Sequence, residues 1–484
     1  MSNSNIIIGR EYEQRILRQI EENPGAQLVA VYGRRRVGKT YLIKTFFKDR
    51  LSFCFTGTYQ GSARSQLGDF ATELSAVTGK PVQPPDNWRE AFALLRAYLS
   101  SLKTERRIVF IDEMPWLETP KSEFLAAFSF FWNNWAETQD GLKVIICGSA
   151  ASWMVNKIIG SKGGLYGRLS RTLYLRPFSL GETEQYLRSQ GIVWNRRLIL
   201  QTYMIFGGIP YYLRLLNKDV PFTENIDSLF FRDYSELRKE YHFLFQSLFS
   251  EAELYRRVVD VLAEKKKGLS LEEIRKATGA AMSGRLSEIL DNLERCEFLR
   301  VYYPFRKKKK GALYQLIDPL CIFYHTFIKT QSEYDPYCWT KTNPSARSVW
   351  AGYAFERVCL LHIPQIRQKL QLNSMLVTVC SWAVKKHTDS DGTTWPGAQI
   401  DLILDRADGI VDLCEIKFTQ NEFVITAEYA DALRRRADEF VALTRTKSTP
   451  RLVFITSEGV RDNSHSGIIQ ANVTADDLFA ILPD

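Results

Sequence analysis

Short apolar runs and helix-period patterns alternate along this chain, and their order divides it. Gln27-Leu-Val-Ala-Val-Tyr32 is a compact run rich in β-formers, and Tyr41–Phe47 has helical spacing. Arg107–Ile111 and Lys143–Cys147 are two more apolar runs of the buried, parallel-strand type. Ser179–Phe249 reads as helices broken at Gly207-Gly208-Ile209-Pro210. Residues 251–317 predict helices over Leu254–Glu264, Leu271–Thr278 and Ser283–Cys296, the second opened by the capping box Ser270-Leu-Glu-Glu273. Strands Phe298–Tyr303 and Leu313–Ile317 follow, joined by Arg306-Lys-Lys-Lys-Lys310-Gly311. The last part predicts a helix from Tyr353 to about Leu370, strands over Ser374–Trp382, Ala398–Leu404 and Ile410–Phe418, a helix over Val424–Thr444, and a strand over Arg451–Thr456. The pattern predicts a multidomain α/β protein. Its expected parts are an α/β core at 1–178, a small helical unit at 179–249, three helices with a hairpin at 250–328, a polar linker or docking loop at 329–348, and an αβββαβ domain at 349–484.

Between the first strand and the helix that follows it lies Gly33-Arg34-Arg35-Arg36-Val37-Gly38-Lys39-Thr40. Strand, G-x-x-x-x-G-K-T loop and helix are the context in which backbone N–H groups wrap phosphates. ATP and magnesium are the expected cofactors. Lys39 would neutralise the β and γ phosphates, and Thr40 would ligate the metal. The run Ile108–Ile111 ends in Asp112-Glu113. Asp112 would hold magnesium, and Glu113 would orient or deprotonate the attacking water. Lys143–Cys147 ends in Gly148-Ser149, where Ser149 either senses the γ-phosphate or marks an ordinary strand exit. Arg168, in Gly164-Leu-Tyr-Gly-Arg168, is either an arginine finger or a plain salt-bridge arginine.

Ile7-Ile8-Gly9-Arg10-Glu11, the arginine-rich loop, Ile111-Asp112-Glu113, Gly148-Ser149, Tyr166-Gly167-Arg168 and Gly207-Gly208-Ile209-Pro210-Tyr211-Tyr212 occur in this order. Together they resemble the archaeal-type ATPase family, a branch of the AAA+/STAND P-loop ATPases, over about Ile6 to Ile328. The resemblance implies an AAA+-like core with a helical lid. It also implies that Ile8, Gly9 and Arg10 lie near the adenine, and that Gly208 and Pro210 belong to the lid.

Charge adds a partner. The chain carries 64 Lys and Arg against 55 Asp and Glu, a net charge of +9. Three helices plus a hairpin is the winged helix-turn-helix plan, and five consecutive cations, Arg306, Lys307, Lys308, Lys309 and Lys310, sit at the expected wing tip. DNA is therefore the expected partner, with Arg285 on the third helix as a further contact. Glu288, Asp291 and Glu294 on that helix leave protein contact open as the alternative. A homo-oligomer is a further expectation. Eight cysteines without a C-x-x-C pair read as reduced thiols, and no signal-like or membrane-spanning apolar run is present, so the expected compartment is the cytoplasm.

In the last domain the element order, with Asp401 on the second strand and Glu415-Ile-Lys417 on the third, resembles the PD-(D/E)xK restriction-endonuclease-like fold. It also resembles the domain often attached to archaeal-type ATPases. Strand alternation puts Glu415 and Lys417 on one face, and Asp401 can share it across the hairpin. Two carboxylates suit magnesium, and a lysine beside them can position water. Glu356 on the first helix matches the acid many members add. The residue before Asp401 is Ile400 rather than proline. Expected functions are ATP hydrolysis coupled to DNA binding and metal-dependent phosphodiester cleavage. The alternatives are a switch whose tail only docks partners, and a DNA-translocating ATPase.

Overall fold

The computed structural model describes residues 6–160, 163–165, 167–249, 251–265, 267–279, 285–307, 311–331, 334–388, 392 and 394–482. The chain forms two compact units, one running to Pro177 and including Ile209–Tyr211, the other comprising Phe178–Gly208 and the chain from Tyr212 onward.

The first unit is built on strands β1 (Gln27–Tyr32), β2 (Leu51–Thr56), β3 (Arg107–Asp112), β4 (Leu142–Gly148) and β5 (Arg171–Tyr174), in the order β2-β3-β4-β1-β5. Every pairing is parallel. Parallel strands are covered on both faces, which is why Leu28–Val31 read as an unbroken apolar run and are fully buried. Helices Ala63–Thr78, Trp88–Ser101 and Phe124–Asn134 pack an aromatic-rich core of Phe70, Trp88, Phe92, Phe124, Phe128 and Trp132. The strand order matters for the site. β4 stands between β1 and β3, so the segments leaving these three strands emerge side by side at the carboxyl edge of the sheet.

The second unit begins with helices Leu180–Ser189, Arg196–Phe206, Phe222–Phe230 and Glu240–Leu248. Helices Ala252–Glu264, Leu271–Thr278 and Leu286–Arg295 follow, with a small sheet of β6 (Leu269–Ser270), β7 (Leu299–Tyr302) and β8 (Leu313–Leu316) in the order β6-β8-β7. The Ser270–Glu273 capping box forms as expected. Ser283, at the predicted start of the third helix, lies outside the described residues, as do Tyr166, Lys308, Lys309 and Lys310.

The stretch expected as a polar linker or docking loop is docked. Cys338–Lys341 is a helical turn, Trp339 is buried, and the Trp339 N–H donates to the buried Asp227 carboxylate at 2.8 Å. The helix expected from Tyr353 starts at Pro344, because the Asn343 side chain accepts from the Ser345 N–H and Pro344 occupies the first turn. That helix, Pro344–Leu361, precedes a mixed sheet. Its members are β9 (Val377–Val384), β12 (Ala398–Arg406), β13 (Ile410–Lys417), β14 (Thr449–Thr456) and β15 (Ala471–Thr474), in the order β15-β14-β13-β12-β9. The short pair β10 (His387–Thr388) and β11 (Thr394–Trp395) lies between β9 and β12, and helix Ala427–Thr444 links β13 to β14. β9, β12 and β13 are antiparallel, whereas β14 and β15 run parallel to β13.

Candidate functional site

The loop after β1 turns on glycine. Gly33 has φ 145°, and a Cβ there would lie 2.2 Å from the Leu175 carbonyl oxygen, so any side chain would collide with backbone. Gly38 has φ 92° and stands at the N-terminus of helix Lys39–Phe47. Lys39 is buried, and its ammonium donates to the carbonyls of Gly33 at 3.0 Å and Arg34 at 2.9 Å. The ammonium is thus curled back into its own loop.

Thr40 opens the helix, and its hydroxyl donates to the Asp112 carboxylate at 2.6 Å. Asp112 is buried at the end of β3. A hydroxyl and a carboxylate at this separation are hard oxygen donors of the kind magnesium takes. Glu113 follows in the left-handed region at φ 46°, which turns its side chain towards β4. Its carboxylate accepts from the Ser149 N–H at 3.0 Å and from the Ser149 hydroxyl at 2.8 Å. Ser149 reaches Glu113 because β4 is next to β3. The chain positions of these residues gave no sign of that bond.

Arg10 is buried with φ 63°, and its guanidinium donates to the Val37 carbonyl at 3.3 Å, tying the Gly9–Arg10 turn to the loop. Pro210 opens the helical turn Pro210–Leu213, and the next residue, Tyr211, lies 4.2 Å under the Arg36 guanidinium. Sequence reading missed this stack. A run of cations at Arg34–Arg36 and a pair of aromatics at Tyr211–Tyr212 were its only trace. Arg35 and Val37 complete the loop, Val37 through the carbonyl that Arg10 reaches. Arg168 pairs with Glu137 at 2.6 Å, with both side chains well exposed.

Residues 8–216 match a family model described as an ATPase domain predominantly from Archaea. The segment carrying Gly33–Thr40 therefore has the support of a P-loop ATPase family. An uncharacterized protein of Methanocaldococcus jannaschii is 28% identical over 326 residues, which cover 67% of this chain and 69% of that protein. Among solved structures, a Walker-type ATPase of Pyrococcus abyssi is similar at 21% identity over 66% of this chain and 96% of its own, with a TM-score of 0.47. The ORC2 protein of Aeropyrum pernix is similar at 16% identity, over 67% and 95% of the two chains, with a TM-score of 0.43.

A second group of candidate residues lies in the other unit. The β12–β13 ladder pairs Leu402 with Cys414, so Asp401 stands opposite Glu415 at the next position. A bulge between Ile400 and Ile403 brackets Asp401 on the side facing β9. Glu415 and Lys417 share a face, with the Lys417 ammonium 2.9 Å from the Glu415 carboxylate. Arg436 also pairs with Glu415, and the Tyr429 hydroxyl donates to it. Burial alone would raise the Glu415 carboxyl, but Arg436 and Lys417 outweigh it and hold the pKa below the usual range. Tyr429 and Arg436 are seven residues apart on helix Ala427–Thr444, two turns on one face. That spacing is visible in the sequence, although their target is not.

Glu356 is paired with its neighbour Arg357, and its carboxyl is raised, chiefly by burial. Asp401 accepts from the Gln399 amide. Among the described residues no group of three or more His, Cys, Asp or Glu side chains is arranged to hold a metal ion. In this arrangement the acids of the C-terminal sheet do not fit a magnesium site, because most of their charge is met by Arg357, Lys417 and Arg436.

The wing residues are placed differently from one another. Arg285 pairs with Glu251 at 2.5 Å. Arg306 was expected at a DNA-facing tip, but its side chain turns to the C-terminal sheet, 3.4 Å from Asp405 and 2.9 Å from the Ser448 hydroxyl. The reason is its neighbour Phe305, which is buried against Trp382, Ile400 and Phe440 and carries Arg306 with it. Lys307 is exposed. None of the described helices is long and apolar enough to cross a membrane.

Proposed function

We propose that this protein binds ATP with magnesium and hydrolyses it, and that hydrolysis is coupled to action on DNA. The observation that carries the first part is the convergence of Lys39, Thr40, Asp112, Glu113 and Ser149 at the carboxyl edge of the parallel sheet. In this reading the loop N–H groups and the positive end of helix Lys39–Phe47 bind the phosphates. The Lys39 ammonium leaves two neutral carbonyls for anionic oxygens, a stronger charge-assisted bond. Thr40 and Asp112 would hold magnesium, which supplies charge neutralisation at the phosphates. Glu113, aimed by Ser149, takes the proton of the attacking water. The test compares two variants. Lys39→Ala loses ATP binding, whereas Glu113→Gln keeps binding and loses turnover. Loss of binding in both would remove this division of labour.

The DNA part rests on the basic run 306–310 and on the helix–helix–helix–hairpin order of a winged helix. For the C-terminal domain two readings stand. The element order, with Asp401 across from Glu415 and Lys417, supports phosphodiester cleavage. The basic partners on Glu356 and Glu415 support a docking tail without catalysis. Cleavage of plasmid and branched DNA with magnesium or manganese separates them. Activity lost in Asp401→Asn supports the first, and no activity under any condition supports the second.

A further inference from the structure

The hairpin of β7 and β8 is joined to the C-terminal sheet. β9 is the edge strand of that sheet, and an edge presents N–H and C=O groups that invite a further strand. The chain leaving β7 takes that place. The Phe305 N–H donates to the Ser381 carbonyl at 2.7 Å, and the Ser381 N–H donates to the Tyr303 carbonyl at 3.3 Å. Phe305 fills the apolar space between Trp382 and Phe440, with the two phenylalanine rings 4.9 Å apart. Arg306 closes the seam on Asp405 and Ser448. On the other side of the hairpin, the Arg357 guanidinium donates to the Leu316 carbonyl of β8 at 3.1 Å.

This seam also brings a cation within electrostatic reach of the acids. Arg300 and Tyr302 alternate onto one face of β7, and the Arg300 guanidinium lies 4.3 Å over the Tyr302 ring and donates to Gln315 at 2.8 Å. The charges that Arg300 senses are those of Arg357, Glu356 and Asp401. Burial, then the neighbouring Arg357, pulls its pKa down to about 10, a value at which it is still charged. Glu356 is paired with Arg357, and Glu415 with Lys417 and Arg436, while Arg300 lies within electrostatic reach of Glu356 and Asp401, so four cations face three carboxylates. A dication entering this group would meet net repulsion, which is the physical reason that the acids do not fit a metal as they stand.

We propose that the β7–β8 hairpin is a clamp that keeps the acidic face of the C-terminal sheet closed to dications, with Arg300 as the internal counter-ion, and that release of the hairpin opens it. The proposal rests on the cleavage reading, since only a site that binds metal needs closing. It also gives the hairpin two exclusive partners. Bound to β9, Arg306 is committed to Asp405. Drawn away by a polyanion, the same segment takes Arg300 with it and leaves the carboxylates with fewer cations.

The test uses the full chain without nucleotide and reads manganese binding by calorimetry, with amide exchange at Phe305 and Ser381 as an independent readout of docking. Asp401→Asn in each background isolates the binding that belongs to this site. In the wild type, both amides are expected to be protected and Asp401-dependent binding to be absent or weak. In the double variant Phe305→Ser/Arg306→Ala, the amides exchange faster and Asp401-dependent affinity rises at least tenfold. Arg300→Gln removes the cation without the apolar anchor, so affinity rises by a smaller factor while the amides stay protected. Equal Asp401-dependent affinity in wild type and clamp variant would overturn the clamp and leave the cleavage reading intact. Free exchange of both amides in the wild type would also overturn it. Released amides with no manganese binding in any variant would overturn the clamp and the cleavage reading together.

Discussion

The most informative single change in the first unit is Glu113→Gln. The substitution preserves side-chain length, and a glutamine carbonyl can still accept from the Ser149 N–H and hydroxyl, which lie 3.0 and 2.8 Å from the carboxylate. Neither Lys39 nor the Thr40–Asp112 pair touches the altered atom, so nucleotide affinity should stay within about twofold. Turnover should not survive. A positioned general base contributes about 10²–10⁴-fold, which is about 3–5 kcal/mol of barrier at about 1.4 kcal/mol per decade. The companion variant Ser149→Ala removes one of two donors. A hydrogen bond to a charged group is worth about 1.5–3 kcal/mol, and the backbone N–H remains, so the expected loss in kcat is about tenfold with unchanged affinity. The assay pairs calorimetric ATP binding with phosphate release under saturating ATP and magnesium. Full turnover by Glu113→Gln would remove Glu113 from the base role. A raised kcat in Ser149→Ala would mean that Ser149 restrains Glu113 rather than aims it.

Replacing Lys307–Lys310 with serine should weaken DNA binding across sequences and reduce the log–log salt slope by about one per lost phosphate contact; unchanged affinity at low salt would assign the tip to a protein partner. For the C-terminal domain, Asp401→Asn, Glu415→Gln and Lys417→Ala should each abolish DNA cleavage, measured on plasmid with the hairpin released by Phe305→Ser/Arg306→Ala; persistent cleavage in Asp401→Asn would point to another site. Acid should weaken the second unit through His362. It is buried, its Nδ1–H donates to the Val358 carbonyl at 2.8 Å, and its Nε2 accepts from the Leu180 N–H at 3.0 Å, so the fold holds it neutral. Burial lowers its pKa from 6.5 to about 4, so the unfolded chain binds the proton first and stability falls as pH drops from 6.5 towards 4. The loss between pH 7 and 5 should be about 2 kcal/mol, and His362→Gln should remove that part of the slope in urea titrations at the two pH values.

The loop proposed to bind phosphate was legible because its chemistry is local. Gly33–Thr40 must lie between a buried strand and a helix for its amides to converge, so eight consecutive residues carry both the geometry and the ligand chemistry. Asp112-Glu113 was legible for the same reason, as acids at the end of an apolar strand. The bond between Ser149 and Glu113 was not, because it depends on β4 lying beside β3, which sequence spacing does not encode. The C-terminal sheet followed its alternation pattern well enough to put Glu415 and Lys417 on one face. What their surroundings do was decided elsewhere. Arg436 comes from a helix whose sequence fixes the periodicity but not the sheet face it covers. Arg300 and Arg306 come from a hairpin whose basic run looks, in one dimension, like a polyanion contact. A run of charge shows what it can attract. Only the packing of Phe305 against Trp382 and Phe440 decides that, in this fold, its first member is held by Asp405, because burying one aromatic ring fixes the direction of the side chain that follows it.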